Sequence, residues 1–204
     1  MKKVLIATSN VGKLRDFAGA AATHGIEIAP VPGFDRLPPV VEDGATFESN
    51  AQKKAEYYSQ LARGEVVLAD DSGLEVDALD GAPGVRSARY SGENEHGNSP
   101  DAANNARLLG ELRGLPRQQR SARFVCVIAA AQDGKTIRIF RGEVEGVILE
   151  EPRGDGGFGY DPLFYVAGIG RTFAQLEAEE KSRFSHRGEA FRKFLQWMDA
   201  PIPG

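Results

Sequence analysis

The chain has 204 residues, 41% of them hydrophobic and 26% charged, which is ordinary for a globular protein and long enough to bury a substantial interior as one domain. A formal net charge of −4 argues against a general nucleic-acid-coating surface, which needs a basic excess, yet leaves room for a small anion at a local cluster of Lys and Arg. The single cysteine, Cys126, excludes a disulfide framework within the chain, and no segment reaches the ~20 apolar residues of a membrane span, so a soluble cytoplasmic protein is expected.

Met1-Lys2-Lys3 followed by Val4-Leu5-Ile6-Ala7 has the outline of a signal peptide, but its apolar part is too short and runs at once into Thr8-Ser9-Asn10. Lys3 to Thr8 instead predicts a strand, and Gly12 to Ala22 a helix ending before Gly25. Between them lies Thr8-Ser9-Asn10-Val11-Gly12-Lys13. A helix N-terminus offers unpaired N–H groups and positive potential, so a strand–loop–helix junction with Gly and Lys suits phosphate. It is not a Walker A loop, because the second glycine is misplaced and Leu14 stands where Ser or Thr is needed. A capped helix carrying a surface lysine accounts for the same residues. Glu27 to Val31 predicts another short strand.

Thr46 predicts the cap of a helix from Phe47 to about Ala62, stopped by Arg63-Gly64. On that helix Glu48 and Gln52, or Asn50 and Lys54, would share a face. Solvated acids explain most of a helix start, but Glu42, in the loop ahead of it, is a candidate metal ligand. Next comes Val66-Val67-Leu68-Ala69, an apolar run expected to be a buried strand, ending in Asp70-Asp71-Ser72-Gly73. Ligands of open α/β sheets sit at the carboxyl ends of such strands. Two adjacent carboxylates repel unless a cation shares their site, and a hard ion such as Mg²⁺ is the usual answer. An Asp-Asp-Ser-Gly turn is the alternative.

Ser99-Pro100-Asp101 has the order of a helix start, cap then proline then acid, with the helix running to about Leu112. Ala122 to Ala131 and Thr136 to Leu149 flank Asp133-Gly134, a hairpin signal. Cys126, inside Phe124-Val125-Cys126-Val127-Ile128, reads as a core thiol. Gly154-Asp155-Gly156-Gly157-Phe158-Gly159 contains Gly-x-Gly-x-x-Gly, but a dinucleotide fingerprint needs a helix opening from the glycines, and Asp161-Pro162 disfavours one. Phe158 and Tyr160 could instead lay an aromatic face against a nucleobase, or simply pack on the core. Finally Arg187 to Met198 puts Ala190, Phe191, Phe194, Leu195 and Met198 on one helical face, with Ser185 as cap. Lys181, Arg183, His186 and Arg187 concentrate basic donors there, although a charge run is usually a solvated face.

Five segments occur in one order: Thr8–Lys13, Ala69–Leu74, Gly81–Tyr90, Phe158–Pro162 and Ser185–Gly188. Together they resemble the house-cleaning inosine/xanthosine triphosphate pyrophosphatases, over Val4 to Leu195, with no departure at a polar motif position. The resemblance implies an α/β fold, two-lobed around an elongated mixed β-sheet with flanking helices and a nucleotide cleft between the lobes. It implies a single catalytic domain over 1–204, a homodimer, and Mg²⁺-dependent conversion of ITP, dITP and XTP to monophosphate and pyrophosphate. Carried over by motif, Asp71 would be the general base and, with Glu42, a metal ligand, while Asp70 supports the same site. Thr8, Ser9, Asn10, Val11, Gly12, Lys13 and Ser72 would hold the phosphates. Phe158, Gly159, Tyr160, Asp161, Lys181, His186 and Arg187 would bind the nucleotide and read its base.

The residues agree with that chemistry. Phosphoanhydride hydrolysis needs charge neutralisation, an aligned water and cations on the leaving pyrophosphate, and no covalent intermediate. Two other classes remain open at this level. A septum-inhibitor-like pyrophosphatase would take modified pyrimidine or methylated nucleotides. A nucleotide sensor would bind without turnover, although bare carboxylates would repel its triphosphate.

Overall fold

The computed structural model describes residues 2–21, 24–92 and 97–199. Seven strands form one mixed sheet in the order β2-β1-β3-β4-β5-β6-β7. They are β1 (Lys2–Ile6), β2 (Ile26–Pro30), β3 (Val67–Val76), β4 (Ser121–Gln132), β5 (Lys135–Ile148), β6 (Phe164–Val166) and β7 (Arg171–Thr172). The helices are α1 (Val11–Ala21), α2 (Phe47–Leu61), α3 (Asp101–Glu111), α4 (Ala178–Phe184) and α5 (His186–Asp199). Strand β1 pairs in parallel with β2 and β3, whereas β6 pairs antiparallel with β5 and β7. This is the expected α/β class with a mixed sheet. Ala22, the predicted end of the first helix, lies outside the described residues. No helix among the described residues is long and apolar enough to cross a membrane.

The chain divides into two compact units. The first takes residues 1–71, 126–143 and 182–204, and the second 72–125 and 144–181. Each has its own apolar core. In the first, the predicted α5 face is realised: Ala190, Phe191, Phe194 and Leu195 are fully buried against Phe17, Leu68, Ile128 and Phe140. Burying each large side chain contributes roughly 1.5–3 kcal/mol. The Ser185 hydroxyl accepts from the Gly188 N–H at 3.0 Å and so caps α5 as expected. Thr46 caps α2 in the same way, from Ser49 N at 3.1 Å. In the second unit Phe124, Phe164 and Phe173 pack ring on ring with Leu74, Leu108 and Ile148. The Asp133-Gly134 turn joins β4 to β5, both residues having positive φ (50° and 80°).

Two expectations are corrected. Strand β3 does not end at Asp70-Asp71-Ser72-Gly73 but runs through it to Val76. The turn propensity of those residues is overridden because partners on other elements hold the carboxylates, Lys13 and Arg187 at Asp70 and the Asn50 amide at Asp71. Helix α3 starts at Asp101, and Ser99 does not cap it. The Ser99 N–H is drawn to the Ala88 carbonyl at 2.9 Å, and its buried hydroxyl has no partner among the described residues.

Candidate active site

Strand β1 stops at Ile6, while its parallel neighbour β3, registered through Leu5↔Val67 and Ile6↔Leu68, continues past it. Asp70 and Asp71 therefore lie beyond the carboxyl end of β1, where the chain turns through Thr8, Ser9 and Asn10 into α1. Asn10 caps that helix, its Oδ1 accepting from Lys13 N at 3.0 Å, and its own N–H is donated to Thr8 Oγ1 at 3.2 Å. The first turn carries Lys13 Nζ to 2.8 Å from Asp70 Oδ2. Ser9 and Val11 are exposed, and Gly12 and Lys13 are half-buried.

At the start of α5, Arg187 is 2% exposed. Its guanidinium donates to Asp16 Oδ2 at 2.6 Å, and its Nε is 3.7 Å from Asp70 Oδ2. His186 beside it is also buried. Burial alone would raise the Asp70 pKa, but Lys13, Arg187 and Lys54 outweigh it and hold the carboxyl at about 2. Burial likewise disfavours the Arg187 charge, and Asp70 and Asp16 overcome it and raise its pKa. Asp70 is thus ionised and committed to cations.

Asp71 is different. Burial dominates and pushes its pKa up, with Glu42 adding to the rise, against the lowering influence of Lys54, Lys13 and the Asn50 amide. Asn50 Nδ2 donates to Asp71 Oδ2 at 2.9 Å, while Asn50 Oδ1 accepts from Gly44 N at 2.8 Å. A Cβ at Gly44 would sit only 2.7 Å from that same oxygen, so glycine is what allows the loop carrying Glu42 to close on Asn50. Glu42 Oε2 takes Lys54 Nζ at 2.7 Å, one turn along α2 from Asn50. The carboxylates of Asp16, Glu42, Asp70 and Asp71 exceed the cations Lys13, Lys54 and Arg187 by one charge. A carboxylate of raised pKa accepts a proton better than one held at about 2, so of the adjacent pair Asp71 is the better proton acceptor.

Among the described residues no group of three or more His, Cys, Asp and Glu side chains is arranged to hold a metal ion. Magnesium needs no such cage: one or two carboxylates suffice when substrate phosphates and water complete its shell. Glu42 and Asp71, mutually repelling hard oxygen donors in a site with surplus negative charge, fit that requirement.

In the second unit Asp161 and Lys181 form a buried ion pair at 2.7 Å. Asp161 Oδ2 also accepts from Phe158 N at 2.9 Å, and Lys181 Nζ lies 4.6 Å from the centroid of the Phe158 ring. The two loop aromatics take different parts. Tyr160 is buried in the core, its hydroxyl donating to the Ser87 carbonyl at 2.7 Å, and Phe158 stays half-exposed. No helix opens from the glycines, in line with the rejected dinucleotide fingerprint. Ser72 is half-buried on β3 and begins the second unit directly after Asp71.

The sequence did not single out Asn50, Lys54 or Asp16 as site residues. Asn50 and Lys54 were visible as one helix face, and their polarity on the side meeting β3 was the available signal. Asp16 gave none, because its partner Arg187 is 171 positions away.

The sequence profile of the Ham1 family matches residues 4–197. A protein of Geobacillus kaustophilus named dITP/XTP pyrophosphatase is 48% identical over 200 residues, covering 98% of this chain and 96% of that protein. One of the same name from Geobacter sulfurreducens is 50% identical over 201 residues, covering 97% and 98%. The solved structure of a HAM1 protein from Coxiella burnetii superposes with a TM-score of 0.83 at 39% identity, covering 97% of this chain and 98% of the other.

Proposed function

This chain belongs to the Ham1 family, and from that premise we propose that it hydrolyses the non-canonical purine nucleoside triphosphates ITP, dITP and XTP to monophosphate and pyrophosphate, with Mg²⁺ as cofactor. It clears them from the nucleotide pool as a cytoplasmic homodimer, with residues 1–204 as one catalytic domain and no nucleic-acid or membrane partner. The observation that carries the reading is the unequal pair on β3. Asp70 is neutralised by Lys13 and Arg187, while Asp71 is left basic beside Glu42.

Water attacks the α-phosphorus, the bond from that phosphorus to the bridging oxygen breaks, and pyrophosphate leaves. Asp71 accepts the proton of the attacking water. A Mg²⁺ ion held by Glu42 and Asp71 would supply neutralisation of the phosphate oxygens. The Lys13 ammonium has three donors, so it can hold Asp70 and still meet the leaving group. The Thr8–Gly12 segment and the Ser72 hydroxyl add neutral donors. Ser72 is a binding group, not a nucleophile, because the reaction needs no covalent intermediate. Phe158, with Lys181 over one face and Asp161 behind it, is the platform for the base. Gly159 and Tyr160 shape that loop, and His186 and Arg187 complete the nucleotide-binding set.

Phosphorus NMR of an ITP reaction tests the proposal. Pyrophosphate and IMP, formed only with a divalent cation, are the expected first products. Orthophosphate with IDP would refute it.

A further inference from the structure

We propose that α3 is the positioning element for the base-reading loop, and that Asp101 and Asn105 are residues on which base selectivity depends. The inference rests on the reading that the Phe158–Asp161 loop meets the base, and it concerns side chains that reading does not use. Asp101 and Asn105 are one helical turn apart, so they share a face of α3. Both reach the same residue. Asp101 Oδ2 accepts from the Gly159 N–H at 2.6 Å, and Asn105 Nδ2 donates to the Gly159 carbonyl at 3.0 Å. The two peptide groups flanking the Gly159 Cα are therefore both fixed to one rigid helix.

Gly159 needs such fixing. It has φ +62° and nothing within 4 Å of where a Cβ would be, so neither a side chain nor a packed neighbour confines it. Glycine loses more conformational freedom on ordering than any other residue. Without the clamp, the half-exposed Phe158 beside it would sample more orientations, and a recognition site held about 1 Å too loosely loses discrimination.

A third polar residue of the helix, Asn104, holds the far side of the same loop. Asn104 Oδ1 accepts from Ser91 N at 2.8 Å, and its Nδ2 donates to the Ala88 carbonyl at 3.3 Å. These contacts fix the 3-10 segment Gly84–Arg89, whose Ser87 carbonyl receives the Tyr160 hydroxyl at 2.7 Å. The loop is thus gripped at Gly159 directly and at Tyr160 through Ser87, with α3 behind both. Asn105 Oδ1 is buried and has no partner among the described residues, so its donor makes the contact to the loop.

Steady-state kinetics on ITP and ATP with Asp101→Ala, Asn105→Ala, Asp101→Asn and Phe158→Ala test the proposal. Each hydrogen bond is worth enough that the first two should raise KM for ITP roughly three- to tenfold and lower the ITP:ATP ratio of kcat/KM by a similar factor. Their kcat for ITP should stay within about twofold, since nothing touching the reacting phosphate changes. Asp101→Asn loses the charge but keeps an acceptor for the Gly159 N–H, so wild-type KM is expected. If either alanine variant does not fold, Asn105→Asp, which keeps the shape and removes the donor, decides by the same readout. Unchanged KM and ratio in the α3 variants, with Phe158→Ala impaired, would overturn the clamp and leave the loop's role standing. Unchanged values in Phe158→Ala as well would overturn both. A fall in kcat alone, or an Asp101→Asn as impaired as Asp101→Ala, would reduce α3 to ordinary scaffolding.

Discussion

Asp71→Asn keeps the side-chain shape and can still accept from Asn50, but it removes the basicity that burial and Glu42 confer. A kcat loss of at least ~10²-fold at saturating Mg²⁺ is expected, typical of a missing general base, with the melting temperature close to wild type. Arg187→Ala should do the opposite to stability. It strands Asp16 and Asp70, both buried, and breaking such a pair costs about 3–5 kcal/mol, or a Tm drop on the order of 10 °C for a chain of this size. Arg187→Lys should recover only part, because one ammonium cannot serve both carboxylates as a planar guanidinium does. Calorimetry on the two variants checks this, and a Tm within 2 °C of wild type for Arg187→Ala, against the ~10 °C expected, would remove the pair from the core's support. Cys126 offers a separate check. Burial pushes its thiol up to about 12 from 9.0. The folded state then holds a proton that the unfolded state releases above pH 9.0, so this contribution is intact below pH 9.0 and lost as pH rises towards 12. The Tm advantage of wild type over Cys126→Ala should accordingly shrink between about pH 8 and about pH 10, roughly one unit either side of the free-thiol value of 9.0.

At the scale of elements, what was legible in the sequence was whatever local chemistry decides. Thr46 and Ser185 capped the helices they precede, the α5 stripe was buried as its spacing required, and Asp133-Gly134 made its hairpin. The site was half legible: Asp70, Asp71, Glu42 and Lys13 were visible as types in sequence, and the resemblance gave them expected roles, but the charge balance that sets Asp70 apart from Asp71 was not visible. It depends on Asp16, Asn50 and Lys54, brought in by separate helices. Strand β3 was misjudged at its end because Asp-Asp-Ser-Gly is turn chemistry locally, and only partners from other elements, cations at Asp70 and an amide at Asp71, make it tolerable in a strand. β6, β7 and α4 are too short to carry a period. Arg120 was equally silent, since a buried arginine looks like any other in sequence. In the structure it donates to the carbonyls of Leu112, Ile148 and Leu149 at 2.8, 2.8 and 2.9 Å, tying the residue after α3 to the end of β5. Arg120→Ala should cost about 3 kcal/mol by leaving those carbonyls without a charged donor. Urea unfolding measures it, and a change under about 0.5 kcal/mol, the range of an ordinary surface substitution, would contradict the assignment.

For the whole molecule, the two units are interwoven along the chain. The first core takes Val4, Phe17 and Leu68 from one segment, Cys126, Ile128 and Phe140 from a second, and Phe191 and Phe194 from a third. The second core, built around Phe124, Phe164 and Phe173, draws on the two segments between. Strands β3, β4 and β5 each begin in one unit and end in the other. Severing the chain at the unit boundary therefore does not release a folded domain. A fragment of residues 1–71 would lack the strand and helix that cover Phe17 and Leu68. A fragment of residues 72–181 would carry the stretch Cys126–Ala131, fully buried in the intact chain, as exposed apolar strand, and should aggregate. The continuity of the three strands also predicts one cooperative transition for the intact protein. Trp197 is the only tryptophan and belongs to the first unit, so its fluorescence reports that unit, whereas far-UV circular dichroism reports both. The two urea profiles should coincide. A fluorescence midpoint displaced from the dichroism midpoint would mean that the units unfold separately, and that the shared strands do not couple them.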